Sequence, residues 1–171
     1  MNNKILVAYA SRHGSTAQIA DRIHRHFKDA GISADIYPIN SVDSLKGYTT
    51  VIIGSAVYVG QWRKDAGRFL KKNIEPLQEK DVWIFSTGPT GEGDPSKLLK
   101  GWIMPKSLLP LANKIGAKEI TVFHGYVDPE KLTGLQRFMV NKIDAPVGDF
   151  RDWKMIDNWA KKIIKSLIAD R

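Results

Sequence analysis

The strongest constraint on the fold comes from three short apolar runs within residues 4–9, 50–54 and 81–85. Strands with one solvated face alternate apolar and polar residues, whereas strands buried on both faces are apolar throughout. Further strands are predicted at residues 33–37 and 119–123. Helical patterns separate these strands, and that alternation favours a mostly parallel sheet with helices on both faces.

Amphipathic helices are predicted between the strands and after the last one. Ile19, Ile23 and Phe27 recur at four-residue spacing in a helix that ends at Gly31. The other helices are predicted at residues 64–73, 106–115 and 152–169. Because 171 residues suffice for one sizeable core, residues 1–171 are predicted to form a single α/β domain around a doubly wound, five-stranded parallel sheet.

One segment, residues 125–151, breaks this alternation. No strand follows it, so no crossover is needed, and the segment is predicted to be an insertion between the last strand and the last helix. It carries an apolar patch, Leu135, Phe138, Met139, Val140 and Ile143. The patch is open to three interpretations: an interface in a homo-oligomer, a contact with a membrane surface, or a lid.

Composition excludes several kinds of chemistry. The chain has no cysteine, which removes disulfides, thiol nucleophiles and thiolate metal sites and fits a cytoplasmic protein. No membrane span or signal peptide is expected. The four histidines show no metal-ligand pattern, and no metal is expected. The net charge of +8 comes from basic residues spread along the chain, so nucleic acid is not an expected partner.

Three predicted loops follow the carboxyl ends of strands, where ligands bind in doubly wound sheets. The first is residues 11–16, SRHGST. A helix start offers unpaired N–H groups and a favourable dipole to an anion. Hydroxyls at Ser11, Ser15 and Thr16 add donors, and Gly14 permits close approach. The loop suits a phosphate monoester, although Ser15 or Thr16 could instead be an ordinary helix N-cap.

The second loop is residues 55–63, SAVYVGQWR, and the third is residues 86–95, STGPTGEGDP. Either aromatic of the second loop, Tyr58 or Trp62, could stack on a flat ligand or pack as ordinary core. Tyr58 is interpreted as the stacking ring and Trp62 as core. The third loop is rich in glycine and exposes its backbone, so it could bond the edge of a heteroaromatic ring or be only a flexible connection. Together the three loops describe a site for a flat ring with one phosphate, which flavin mononucleotide (FMN) fits.

The first loop resembles the flavodoxin phosphate loop, S/T-x-S/T-G-x-T, with His13 in place of the third-position hydroxyl. The segments VIIGSAVYVGQW, HGY, LQRFMVNKI and DW further resemble the menaquinone-dependent protoporphyrinogen dehydrogenases, a flavodoxin-like group. The resemblance covers nearly the whole chain and is weakest from residue 86 to residue 118. It implies the strand order 2-1-3-4-5 and FMN as the cofactor.

The resemblance also implies which residues contact the cofactor. Residues 11–16 would bind the phosphate, and residues 56–60 and 87–93 would flank the isoalloxazine. The predicted FMN-binding residues are Ser11, Arg12, His13, Gly14, Ser15, Thr16, Ala56, Val57, Tyr58, Val59, Gly60, Thr87, Gly88, Pro89, Thr90, Gly91 and Gly93. Arg12, Arg63 and Lys64 are expected to make the site positive and to raise the flavin potential.

Three functions remain open at this stage. The first is a flavodoxin-like oxidoreductase or electron carrier that works with a redox partner protein. The second is a protoporphyrinogen oxidase of haem biosynthesis with a quinone acceptor, in peripheral contact with the inner face of the membrane. The third is a non-enzymatic module that binds a partner. Residues 96–118, with five lysines and no carboxylate, suit an anionic lipid or an acidic ligand, or are a solvated face over core.

Overall fold

The computed structural model describes residues 4–169 and consists of a central parallel sheet between two layers of helices. The strands are β1 (Lys4–Ala10), β2 (Ser33–Pro38), β3 (Thr50–Tyr58), β4 (Gln61–Trp62), β5 (Asp81–Thr87), β6 (Glu119–Phe123), β7 (Tyr126–Val127) and β8 (Gly148–Asp149). The helices are α1 (Ser15–Asp29), α2 (Lys64–Lys72), α3 (Ile74–Gln78), α4 (Pro95–Leu98), α5 (Leu109–Ile115), α6 (Gly134–Lys142) and α7 (Trp153–Ala169). Short 3₁₀ turns lie at Ile39–Ser41 and Pro129–Lys131.

The long strands lie in the order β2-β1-β3-β5-β6, and each neighbouring pair is parallel. The short strand β4 pairs only with β3, in antiparallel orientation. Among the five long strands, this is the predicted order 2-1-3-4-5. The prediction of a doubly wound α/β sheet is therefore confirmed.

Alternate residues of the central strands pack into two separate cores, because successive side chains of a strand point to opposite faces. Leu6, Val51 and Ile53 pack on the face that α2, α3 and α5 cover. Val7 and Ile52 pack on the other face, under α1 and α7. The apolar runs of the sequence are thus the strands that pack against helices on both faces of the sheet.

Helices α1 and α7 lie side by side over the second core, as their apolar spacing predicts. Ile19, Ile23 and Phe27 of α1 are fully buried there. Outside the core, Arg22 donates two hydrogen bonds to the Asp157 carboxylate of α7, at 2.7 and 2.8 Å. The bonds from Arg22 hold the pKa of Asp157 well below its usual range, with a smaller contribution from His26.

Two departures from the predicted helices occur at prolines. Helix α5 begins at Leu109 rather than at residue 106, since the ring of Pro110 would clash with the carbonyl of residue 106 in a continuous helix. A new helix, α3, begins at Ile74, where the sequence analysis predicted none. Pro76 lacks the N–H that would extend α2 through this point.

Residues 125–151 form a small substructure at the carboxyl edge of the sheet. The pair β7–β8 closes it as an antiparallel ladder. Between these strands, Thr133 and Gln136 form a reciprocal capping box that starts α6. No residue of α6 is buried, and Leu135 and Phe138 are 70% and 63% exposed. The apolar patch of the sequence is therefore largely a solvent-facing surface.

The centre of the sheet has no room for a side chain at Gly54. A Cβ atom there would lie 2.0 Å from Cζ of Phe85 on the neighbouring strand. We expect Gly54→Ala to lower the free energy of unfolding by about 3 kcal/mol, measured by urea denaturation, because overpacking strains a dense core. Adding Phe85→Leu to this variant should cost less than the two single changes together.

The matched control is Gly67→Ala in α2, where a new Cβ would meet Leu108 at an ordinary 3.6 Å. Alanine is a better helix former than glycine, so this variant should be as stable as the parent or more stable. Equal stability of the Gly54 and Gly67 variants would contradict the close packing described.

Candidate functional site

The first loop joins β1 to α1 at the carboxyl edge of the sheet. The N–H of Gly14 donates to Ser11 Oγ at 3.1 Å, which folds the loop back on itself. Gly14 is the N-cap of α1 and has φ of 93°, a left-handed conformation that glycine adopts without strain. No side chain caps this helix, so the interpretation of Ser15 or Thr16 as an ordinary N-cap is wrong.

The hydroxyl of Ser15 lies at the start of α1 without a protein partner. Its Oγ is buried and makes no hydrogen bond within the described residues 4–169. The first-turn N–H groups of a helix also have no intrahelical acceptor. An anion at this point would therefore meet a free hydroxyl, free N–H groups and the positive end of the helix dipole.

The first and third loops are tied together beneath the site. Thr16 Oγ1 and Thr87 Oγ1 are 2.7 Å apart and hydrogen-bonded, and both residues are almost fully buried. Both were predicted to touch a cofactor directly. In the structure their hydroxyls bond each other, so their first role is to fix the relative position of two strand ends.

The second loop is shorter than the sequence predicted. Strand β3 continues to Tyr58, and Ala56 and Val57 are strand residues because they pair with Thr87 and Trp62. Only Val59 and Gly60 form the turn into β4, with φ of 50° and 70°. A β-branched residue is strained at positive φ, and such strain is commonest at functional sites.

Tyr58 and His13 bring the second loop against the first. Their rings meet edge to face with centroids 6.4 Å apart. Burial lowers the pKa of His13, and the positive charges of Arg12, Lys131 and Arg63 lower it further. Burial also raises the pKa of Tyr58, although Arg12 and Arg63 oppose that shift.

The predicted positive field thus has a structural basis at Arg12 and Arg63, which act on both rings of this pair. Lys64 is an exposed residue of α2 and is not among the charges that act on them. Trp62 is buried and donates from Nε1 to Ser86 Oγ at 2.9 Å, which makes it core, as interpreted.

The third loop, from Gly88 to Gly93, is anchored to the chain that follows β6. The N–H of Gly88 donates to the Phe123 carbonyl at 3.2 Å, and the N–H of Gly125 donates to the Pro89 carbonyl at 3.0 Å. A Cβ at Gly88 would lie 2.9 Å from Cβ of Val57, so only glycine lets these two loops approach. Beyond these anchors, Thr90 and Gly91 are half-buried and Gly93 is exposed. Contact of their backbone with a ring stays a prediction.

Two residues at this edge were not singled out by the sequence. His124 is buried, and its ring nitrogens face the carbonyls of Pro89 and Gly93. Gln136 of α6 brings its Nε2 to 3.5 Å from His13 Nε2 and so links the insertion to the first loop. Both belong to segments that resemble the protoporphyrinogen dehydrogenase group, HGY and LQRFMVNKI. That resemblance does not indicate these contacts, which depend on the folded chain.

The lysine-rich segment, residues 96–118, is mainly a solvated face over core. Met104 is buried in the first core and Ile103 packs against it, whereas Leu98 is 46% exposed. Within residues 4–169 there is no cluster of histidine and carboxylate side chains that could hold a metal ion. An open groove of about 410 Å³ lies within the insertion, beside Arg137, Leu132 and Val140.

Comparison with known proteins identifies the family. The family model described as "Flavodoxin domain" matches residues 6–153. The chain therefore belongs to the flavodoxin-domain family. None of the helices in the described part of the chain has the length and apolar character to cross a membrane.

Individual proteins resemble the chain more distantly. Protoporphyrinogen IX dehydrogenase (quinone) of Escherichia coli strain K12 is 21% identical over 181 residues, which cover 94% of each chain. Flavodoxin 2 of Bacillus cereus superposes with a TM-score of 0.64 at 21% identity, covering 95% of this chain and 99% of that one. Rubredoxin oxygen:oxidoreductase of Desulfovibrio gigas has a TM-score of 0.63 at 16% identity, covering 98% of this chain and 36% of that one. The present chain thus spans about a third of that last protein.

The bond between Thr16 and Thr87 can be tested by a double-mutant cycle. Thr16→Val and Thr87→Val should each lower the free energy of unfolding by about 2 kcal/mol, because each leaves one buried hydroxyl unpaired. The double variant should be distinctly more stable than the sum of the two predicts. Thr50→Val is the control, since the buried Thr50 hydroxyl has no partner among the described residues. Strict additivity in the cycle would contradict the bond.

Proposed function

We propose that the protein binds FMN at the carboxyl edge of its sheet and transfers electrons through it. The observation that carries this proposal is the buried, unpartnered Oγ of Ser15 at the N-terminus of α1. A buried hydroxyl without a partner is unfavourable in a protein alone and favourable if an anion accepts its hydrogen bond. The family membership makes a flavin the expected ligand, and a single helix N-terminus with one loop glycine suits one phosphate.

The residues present fit such a cofactor. Ser15 and the first-turn N–H groups of α1 would hold the phosphate, with Gly14 allowing close approach. Tyr58 to Gly60 on one side and Gly88 to Gly93 on the other would flank the isoalloxazine. Tyr58 is 37% exposed, which leaves a ring face for stacking. When bound, the flavin supplies the electron-transfer chemistry, and the protein orients it and sets its environment.

The positive charges of this chain would act on that environment. Arg12 and Arg63 influence the two residues, His13 and Tyr58, that connect the first and second loops. A positive field favours an anionic reduced flavin over the neutral oxidised one. The chain is therefore expected to hold FMN at a higher potential than an acidic carrier of the same fold, and Arg63→Ala should lower it.

A second function, oxidation of protoporphyrinogen with a quinone acceptor, is favoured by one observation. Helix α6 lies beside the first loop, and its exposed Leu135 and Phe138, with Ile143 at its end, form an apolar surface. Exposed apolar side chains of this kind suit contact with a membrane, where a quinone dissolves. The similarity to the E. coli quinone-linked dehydrogenase extends over the insertion and supports the same function.

Ser15→Ala tests the phosphate site. We expect FMN to bind at least about tenfold more weakly, because a hydrogen bond to a charged group is lost, while riboflavin, which has no phosphate, should bind as before. Flavin fluorescence quenching measures both affinities. The control is Ser33→Ala, an exposed serine at the opposite end of the sheet.

A parent protein that takes up no flavin would refute the proposal and leave the partner-binding module as the remaining function. Equal FMN affinity of the Ser15 variant and the parent would place the phosphate elsewhere.

Anaerobic turnover separates carrier from oxidase. In vesicles of anionic lipid that contain menaquinone, an oxidase should convert protoporphyrinogen, whereas a carrier should accept electrons only from a reductase. Replacing Leu135 and Phe138 by serine should reduce both vesicle binding, measured by flotation, and quinone-linked turnover. The control is Ile168→Ser, which changes an apolar side chain 57% exposed near the end of α7. Vesicle binding that both variants retain equally would exclude α6 as the contact.

A further inference from the structure

The third loop contains a short arc, Thr90 to Glu92, whose two ends are fixed by different groups. At the start of the arc, the Pro89 carbonyl accepts a hydrogen bond from the N–H of Gly125, at 3.0 Å. At its end, the Gly93 carbonyl lies 2.6 Å from His124 Nε2. Among the described residues no other donor bonds the Gly93 carbonyl.

The imidazole of His124 contacts both ends of this arc, the Pro89 carbonyl and the Gly93 carbonyl. The residue is 4% exposed, and Nδ1 lies 3.1 Å from the Pro89 carbonyl. A carbonyl oxygen can only accept, so a ring nitrogen bonded to it must carry the proton. Nε2 is the one donor that reaches the Gly93 carbonyl among the described residues, so this bond requires the proton on Nε2. The Pro89 carbonyl can accept two bonds, and it keeps the bond from the N–H of Gly125 whichever form Nδ1 takes.

We infer that His124 is a positioning residue that presets the third loop through the bond from Nε2–H to the Gly93 carbonyl. Both ring nitrogens face backbone carbonyls, so the ring itself is not free to bind substrate or metal. Its effect on a ligand must pass through the loop. The part of this inference that concerns FMN binding rests on the function proposed above.

A physical cost explains why such a bond matters here. Gly91 and Gly93 have positive φ values of 133° and 97°, and glycine-rich backbone loses much conformational entropy when it is ordered. If the loop were free, it would have to become ordered when a ring binds. The lost conformational entropy would then lower the affinity for that ring. A loop already held by His124 binds without this cost.

Side chains that reproduce one ring nitrogen at a time provide the test. The amide nitrogen of glutamine can take the place of Nε2 and reach Gly93, whereas that of asparagine takes the place of Nδ1 and reaches only Pro89. We therefore expect His124→Gln to keep FMN affinity within about threefold of the parent. His124→Asn and His124→Phe should bind FMN about tenfold more weakly, as for the loss of one net hydrogen bond.

A second readout needs no flavin. Backbone order parameters of residues 90–93, from NMR relaxation of the cofactor-free protein, should be lower in the asparagine and phenylalanine variants and close to the parent in the glutamine variant. A merely structural role in packing would instead lower global stability in all three variants and leave no rescue by glutamine. The control is His24→Asn, which removes a similar bond from a ring to a backbone carbonyl, His24 to Ala34, away from this edge.

The outcomes separate this inference from the proposed function. Equal loop order parameters and equal FMN affinity in the glutamine and asparagine variants would overturn the role of Nε2, even if FMN binds well. Rescue of the loop order parameters by glutamine in a protein that binds no flavin would support the role of His124 and refute FMN binding. If the phenylalanine variant does not fold, the comparison of glutamine with asparagine still decides.

Discussion

Burial of the central strand β3 on both faces determines where this protein can place its functional groups. From Thr50 to Ala56, every residue of β3 is buried, and Gly54 leaves just enough space for the ring of Phe85. A strand enclosed in this way can offer functional groups to solvent only at its ends. The first, second and third loops therefore meet at one edge, and they supply every residue of the candidate site except those of the insertion and the segment after β6.

That edge is held together by a few specific bonds. Thr16 and Thr87 join the first and third loops, the main chain from Phe123 to Gly125 anchors Gly88 and Pro89, and His13 meets Tyr58. The insertion is attached less firmly, since its helix α6 has no buried residue and reaches the first loop through Gln136. The edge thus combines a fixed cradle with a more loosely held apolar surface beside it.

Much of this could be predicted from local sequence. The apolar runs predicted the strands, and the spacing of Ile19, Ile23 and Phe27 predicted the packing of α1, because these patterns follow directly from burial. The strand order was predicted from the family resemblance. A loop does follow β1, but it is shorter than the predicted residues 11–16, since Ser15 and Thr16 already belong to α1. Sequence could not show that β3 extends to Tyr58, because the pairing of Ala56 with Thr87 depends on a strand distant in the chain.

The same limit applies to His124 and Thr16, which hold the loops of the site in position through contacts distant in sequence. The bonds of His124 depend on where two carbonyls of the third loop lie, and a lone histidine after a strand carries no pattern that reports this. The partner of Thr16 is 71 residues away. Such contacts are products of the tertiary fold, whereas caps, turns and apolar periodicity are properties of short segments.

In the function proposed above, the first loop holds the phosphate of FMN and the other two loops flank its ring. A crystal structure of the protein with FMN would locate both parts of the cofactor. We expect the phosphate at the N-terminus of α1, within hydrogen-bonding distance of Ser15 Oγ, and the ring between Tyr58–Gly60 and Gly88–Gly93. A phosphate bound away from Ser15, or a ring in the groove of the insertion, would contradict it.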